Sequence, residues 1–267
     1  MTHSLLEHFG FKSLPFGKDS LELYQYQQFA EIPHILELTL TARTIALVTG
    51  QAGVGKTTAV RSFVETLPSN NHMIIYLGHD QHGNTLVRRL CITLGLKPRP
   101  NRGQQILQVG QFLEENLLEN GKAVVLIVDE CHLLDLPTLE DLRLLTNSDF
   151  DRSSPLSIIL IGQLAFRRQL RAPGYEAINQ RIRFRYALEG LSQEETIAYI
   201  KHHLKAAGGA DDLFLPDALK AIFAASGGIP REINNLCSAA LVKAYSSGAK
   251  KIDARLVKLI LDMKEVN

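Results

Sequence analysis

The chain has 267 residues, 45% hydrophobic and 21% charged, a balance that closes one large domain, or one and a small appendage, without disulfide staples. Its 29 Lys and Arg are matched by 28 Asp and Glu, which excludes a global field drawing in nucleic acid or membrane and leaves that role to local patches. Cys91, Cys131 and Cys237 form no CxxC pair, no secretory leader is legible, and no apolar run approaches the ~20 residues of a membrane helix, so a soluble, reduced, cytoplasmic protein without membrane contact is expected.

In chain order, short apolar runs rich in β-branched residues alternate with stretches of helical period. Strands are expected at 44–49, 73–77, 123–129 and 157–161, and amphipathic helices at 59–67, 85–94, 105–119 and 138–147. Strands separated by helices form a parallel sheet, and runs as apolar as IALVT and VVLIV belong to strands buried on both faces. After Leu188 the pattern is helical only. Ser192 with Glu195 three residues on is a capping-box start, and Gly208-Gly209 stops that helix. Pro216 and Pro230 open two more, and Asp253 caps a fourth. The expected fold is α/β: a parallel sheet flanked by helices over 1–189, N-terminal extension included, then a small helical domain over 190–267.

Residues 50–57, GQAGVGKT, fit G-x-x-x-x-G-K-[ST] at every fixed position, after a strand and at the start of a helix. Gly50, Gln51, Ala52, Gly53, Val54 and Gly55 supply a tight turn whose N–H groups converge on phosphate oxygens, and Thr58 continues the cradle into the helix. Lys56 brings a point charge to the β- and γ-phosphates, and the Thr57 hydroxyl is offered to Mg²⁺. The expected ligands are therefore ATP and Mg²⁺.

The second stretch, VVLIVDECHLL at 124–134, admits several chemistries: a metal site, an activated thiol, a helicase signature, or the metal-and-water end of the nucleotide site. A zinc site wants further ligands at metal spacing, and Cys91 and Cys237 have none beside them. A nucleophilic thiol wants an organised base. With the phosphate cradle upstream, Asp129 at the tip of a buried strand serves the metal shell, and Glu130 faces the γ-phosphate as base or orienter of a water. Cys131 becomes a packed residue at the following helix start. His132 resembles the end of a DEAH box, in a chain too short for two helicase lobes, and the loop histidines His79 and His82 are read as polar surface.

These motifs resemble those of the AAA+ ATPases, with 50–57 as Walker A and Asp129-Glu130 as Walker B. The resemblance implies further roles. Gln163, after the strand SIILI, takes the sensor 1 place and holds the attacking water with Glu130. In NQRIRFR, Arg181 matches the finger that reaches a neighbouring subunit's γ-phosphate, with Arg183 as the alternative. In GGIPR, Arg231 matches sensor 2, binding phosphate from a helical lid, while Phe16 and Pro15 line the adenine pocket. Such a finger makes the protein a homo-oligomer, a ring or a helical filament.

LEHFGFKSLPFGKD, LIGQ, QRI and SGGIPREINNLC resemble the ExeA-like branch of the family over almost the whole chain. Members of that branch can carry an added membrane segment and a wall-binding part, neither of which is expected here. Stand-alone members resemble transposition helpers of the TnsC, MuB and IstB type, which assemble with ATP on duplex DNA, recruit a transposase and mark targets. Arg88, Lys97, Arg99 and Arg102, with Arg89 beside them, supply a basic patch for such contacts, and Arg167, Arg168 and Arg171 a second. Without interleaved aromatics, duplex DNA is the expected substrate rather than single strands. The alternative is an ATPase that remodels a protein assembly, in secretion or signalling, without DNA contact.

Overall fold

A computed structural model describes residues 2–17, 23–78, 85–147 and 154–265. Its centre is a five-stranded parallel sheet: β1 (Ile45–Gly50), β2 (His72–Leu77), β3 (Ala123–Val128), β4 (Leu156–Gly162) and β5 (Ile182–Leu188), in the order β2-β3-β4-β1-β5. β1 and β4 are buried at every position, as a central strand covered on both faces must be. One parity, including Leu47, Leu126, Val128 and Leu160, joins the main core under the helices α4 (Leu86–Thr93), α5 (Arg102–Asn120) and α6 (Leu136–Leu145). The other parity, Ala46, Val48, Val125, Ile127, Ile159 and Ile161, is equally buried.

The four expected strands are found within a residue of their expected ends. β5 was not expected, because the segment was read as a carrier of arginines. Its sequence IRFRYAL alternates charge with bulk, the pattern of an edge strand exposed along one side. It pairs with β1 through an irregularity: Ile45 faces Ile182 and Ala46 faces Phe184, so Arg183 is left outside the pairing. Two helices, α1 (Thr2–Phe9) and α2 (Gln27–Thr41), precede the first strand and were also unexpected. α2 carries Pro33 inside it and still buries Phe29, Ile32, Leu36 and Thr39 at helical spacing. α3 (Lys56–Val64) follows β1 directly. Two short helices, α7 (Ala165–Gln169) and α8 (Glu176–Arg181), bridge β4 to β5.

The chain divides into two compact units. One comprises Gln28–Ala52 and Lys56–Leu188; the other comprises Met1–Gln27, Gly53–Gly55 and Glu189–Asn267. The second unit contains α9 (Gln193–Ala206), α10 (Pro216–Ser226), α11 (Pro230–Ser247) and α12 (Ala254–Glu265). Their starts follow the capping chemistry read from the sequence: Ser192 and Glu195 form a reciprocal capping box, and Asp253 accepts from the Leu256 amide at 3.0 Å. The N-terminal extension was expected with the sheet. Leu5, Phe11 and Phe16 are instead part of the helical unit's core with Leu204, Phe214 and Leu241. The cause is apolar area, since an eight-residue helix and its tail bury their own face only by joining a core. No helix among the described residues is long and apolar enough to cross a membrane.

Candidate nucleotide site

The loop after β1 turns through Gly53 (φ 81°) and Gly55 (φ 103°), conformations that glycine adopts freely. Lys56, 9% exposed, donates from Nζ to the Gly50 carbonyl at 3.1 Å and the Gln51 carbonyl at 2.9 Å. Its ammonium therefore lies back across the loop whose amides form the cradle. Within the helical unit, the Arg231 amide donates to the Gly53 carbonyl at 3.2 Å. A Cβ on Gly53 would come within 2.6 Å of the Arg231 Cβ and 3.4 Å of its Nε, so the arginine lies directly on the glycine. Arg231 therefore contacts Gly53 through both backbone and side chain.

Asp129 follows the last residue of β3 and is 8% exposed. Its Oδ2 accepts from the Thr57 hydroxyl at 2.8 Å and from the Tyr76 hydroxyl at 2.9 Å, and its Oδ1 accepts from the Glu130 amide at 2.8 Å. All three donors are uncharged, so the carboxylate is fixed without being neutralised. Tyr76 was missed by the sequence reading. Burial first, then its bond to Asp129 and the charges of Asp129 and Glu130, push its phenol up to about 12, so it is a donor throughout the neutral range.

Thr57 and Asp129 together offer two oxygen ligands, and no cluster of three or more His, Cys, Asp or Glu occurs among the described residues. That donor set fits Mg²⁺, which takes one or two protein ligands and completes its shell with water and phosphate oxygens. It does not fit zinc, which wants a cage of nitrogen or sulfur ligands.

Glu130 sits in the left-handed region (φ 54°, ψ 37°), and its side chain is 49% exposed at the strand tip. The His132 Nδ1 is 3.4 Å from its Oε2. Cys131 is fully buried in the short 3-10 turn that follows. A Cβ on Gly162 would meet its Sγ at 2.7 Å, so the thiol fills the space that the glycine leaves at the end of β4. Burial, reinforced by Asp129 and Glu130, raises its pKa, which makes it a packing residue and no nucleophile. Cys91 and Cys237 are likewise buried thiols.

Gln163 is exposed just past β4, its carbonyl accepting from the Phe166 amide at 3.0 Å. Arg181 closes α8 and is half-buried; Arg183 is exposed, with its guanidinium 5.6 Å from the Phe184 ring centroid. Phe16 is 6% exposed and packs on His203 and Phe214 within the helical unit. Its ring serves that core.

Arg88, Lys97 and Arg99 are exposed. Arg89 donates to the Gly78 carbonyl at 2.7 Å, joining α4 to the end of β2. Arg102 donates from Nε to both oxygens of Asp141, at 3.0 and 2.8 Å. Arg102 is thus the partner of a buried carboxylate. In the second patch, burial lowers the pKa of Arg185, and the charges of Arg167 and Arg171 add to that. His79 and His82 lie outside the described residues.

Four likenesses to known proteins accompany this geometry. Residues 39–170 match the family model described as an AAA domain. The chain is 33% identical over 252 residues to general secretion pathway protein A of Aeromonas hydrophila, covering 92% of this chain and 46% of that protein's length. The fold is shared with the Aeropyrum pernix ORC2 protein in its ADPNP-ADP complexes (TM-score 0.64, 16% identity, 91% of this chain and 69% of that one). It is shared also with the Aeropyrum pernix ORC1 protein in complex with DNA (TM-score 0.64, 15% identity, 98% and 69%).

Proposed function

Carrying an AAA domain over residues 39–170, the chain is an AAA+ ATPase, and from that premise we propose that its cycle remodels a protein assembly of the secretion or signalling kind. The observation that carries this reading is its 33% identity over 92% of its length to general secretion pathway protein A. The chain spans 46% of that protein's length.

In this cycle Lys56 turns from the Gly50 and Gln51 carbonyls to the β- and γ-phosphates. Thr57 and Asp129 would hold Mg²⁺, which would supply positive charge against the negative charge on the phosphate oxygens. Glu130 orients the attacking water, with Gln163 beside it. Arg231 reads the phosphates from the helical unit, and Arg181 of a neighbouring copy completes the site, so the active form is an oligomer.

The second reading is a transposition regulator that oligomerises with ATP on duplex DNA, recruits a transposase for target selection, and disassembles on hydrolysis. The fold shared with an ORC1 protein in complex with DNA and the exposed Arg88, Lys97 and Arg99 favour it. Duplex binding, followed by anisotropy with ATP, ADP and no nucleotide across a salt series, separates the two. Remodelling of a protein assembly predicts no ATP-dependent retention. Sequence-tolerant binding that requires ATP and weakens with salt, and with Lys97→Ala plus Arg99→Ala, would overturn it in favour of the DNA-bound oligomer.

A further inference from the structure

Tyr76 lies on β2, an edge strand whose register sets Ile75 opposite Leu126, Tyr76 opposite Ile127 and Leu77 opposite Val128. Successive side chains point to opposite faces. Ile75 and Leu77 therefore enter the main core with Leu126 and Val128, while Tyr76 shares the other face with Ile127 and, two residues on, Asp129. Its residue surface is 54% exposed, so packing alone does not account for the ring. The polar end is its engaged part: the hydroxyl meets Asp129 Oδ2 at 2.9 Å, beside the Thr57 hydroxyl on the same oxygen.

Thr57 can keep donating to Oδ2 while its lone pairs face a cation, so that contact is compatible with a loaded site. The requirement is that the carboxylate holds still. A Lys or Arg in the place of Tyr76 would neutralise Asp129 and oppose a cation. A neutral phenol fixes the oxygen and leaves its charge in place. We propose that Tyr76 is a positioning residue for Asp129, fixing the carboxylate orientation in which Asp129 and Thr57 receive Mg²⁺ with the nucleotide. This rests on the ATPase reading and is independent of the client.

The test is binding of a fluorescent, non-hydrolysable ATP analogue to the full chain, in EDTA and through a Mg²⁺ titration. Tyr76→Phe keeps the ring and removes the hydroxyl. Its affinity in EDTA is expected to match wild type, while the Mg²⁺ midpoint rises about fivefold, the worth of one hydrogen bond. In an Asp129→Asn background the same change is expected to move nothing. An unshifted Mg²⁺ midpoint, an equal loss with and without Mg²⁺, or loss of the folded state in Tyr76→Phe would each overturn the assignment. A wild type whose analogue binding ignores Mg²⁺ would overturn the metal site itself, a failure distinct from that of Tyr76.

Discussion

Two aspartates of the α/β unit are buried almost equally, Asp129 at 8% and Asp141 at 3% exposure, and they have opposite fates. Asp141 is met by a guanidinium: Arg102 at the start of α5 reaches both its oxygens from Nε. Burial pushes its carboxyl up while Arg102 pulls it down, so the pair is closed on itself. Asp129 is met by two hydroxyls and an amide, none of them charged. Depth does not make a binding site. On the proposed reading the Mg²⁺ site uses the carboxylate that is fixed by uncharged donors, and of the two only Asp129 is.

The largest expected effects come from breaking the chemistry around the open carboxylate. Glu130→Gln should bind the ATP analogue within about twofold of wild type while turnover falls roughly 10²–10⁴-fold, the range for a lost acid–base group. Arg181→Ala should lower turnover by ~10³, the lower bound for a finger acting in trans. Mixing the two variants sharpens this, because a Glu130→Gln copy still lends Arg181 to the intact site of its Arg181→Ala neighbour. Recovered ATPase in the mixture is the expected result. No recovery, with Arg183→Ala as damaging as Arg181→Ala, would remove Arg181 from the role.

The closed pair should behave differently. Arg102→Ala leaves Asp141 without its cation and should cost about 2 kcal/mol, reduced from the fully buried case because the arginine side chain is 41% exposed. The thermal midpoint should fall, and turnover per folded molecule should hold. Loss of turnover without loss of stability would mean that α5 communicates with the site. Arg102 is accordingly a poor probe of DNA contact, which Lys97 and Arg99 serve better.

This contrast also marks what the sequence could yield. The cradle and Asp129 were legible because their chemistry is local: a glycine turn, a lysine and a hydroxyl in eight consecutive residues, and an acid ending an apolar strand. The central strands were legible for the same reason, IALVT and VVLIV being nearly all apolar. β5 was not, because an edge strand keeps charges such as Arg183 and Arg185 on its open side and imitates a loop. Tyr76 was hidden by distance, its partner lying 53 residues along the chain. Only the register of β2 on β3 shows that a tyrosine one residue before its strand's end shares a face with Asp129. The fate of Arg102 was hidden likewise, since a basic residue in a polar loop gives no sign of a buried aspartate 39 residues on.

If the partner rather than the depth decides, a buried polar group with no partner should be the weak point, and the helical unit has one. His203 is 6% exposed between Phe16 and Tyr199, and its Nδ1 has no hydrogen-bond partner. Burial first, then the neighbouring His202, hold its pKa down to about 4 against an ordinary 6.5. The unfolded chain therefore takes up a proton at higher pH than the folded one does. Stability attributable to the neutral ring is complete above about 6.5, shrinks as the pH falls below it, and stops changing near 4. At pH 5 the loss is about 2 kcal/mol, from 1.5 pH units at 1.36 kcal/mol each, or ~4–8 °C in midpoint for a chain of this size. His203→Phe keeps a ring against Tyr199 and removes the proton site, so its thermal midpoint between pH 8 and pH 5 should be flatter than that of wild type by that amount. An equal slope in the two proteins would place the acid sensitivity elsewhere and leave His203 as one more packed ring.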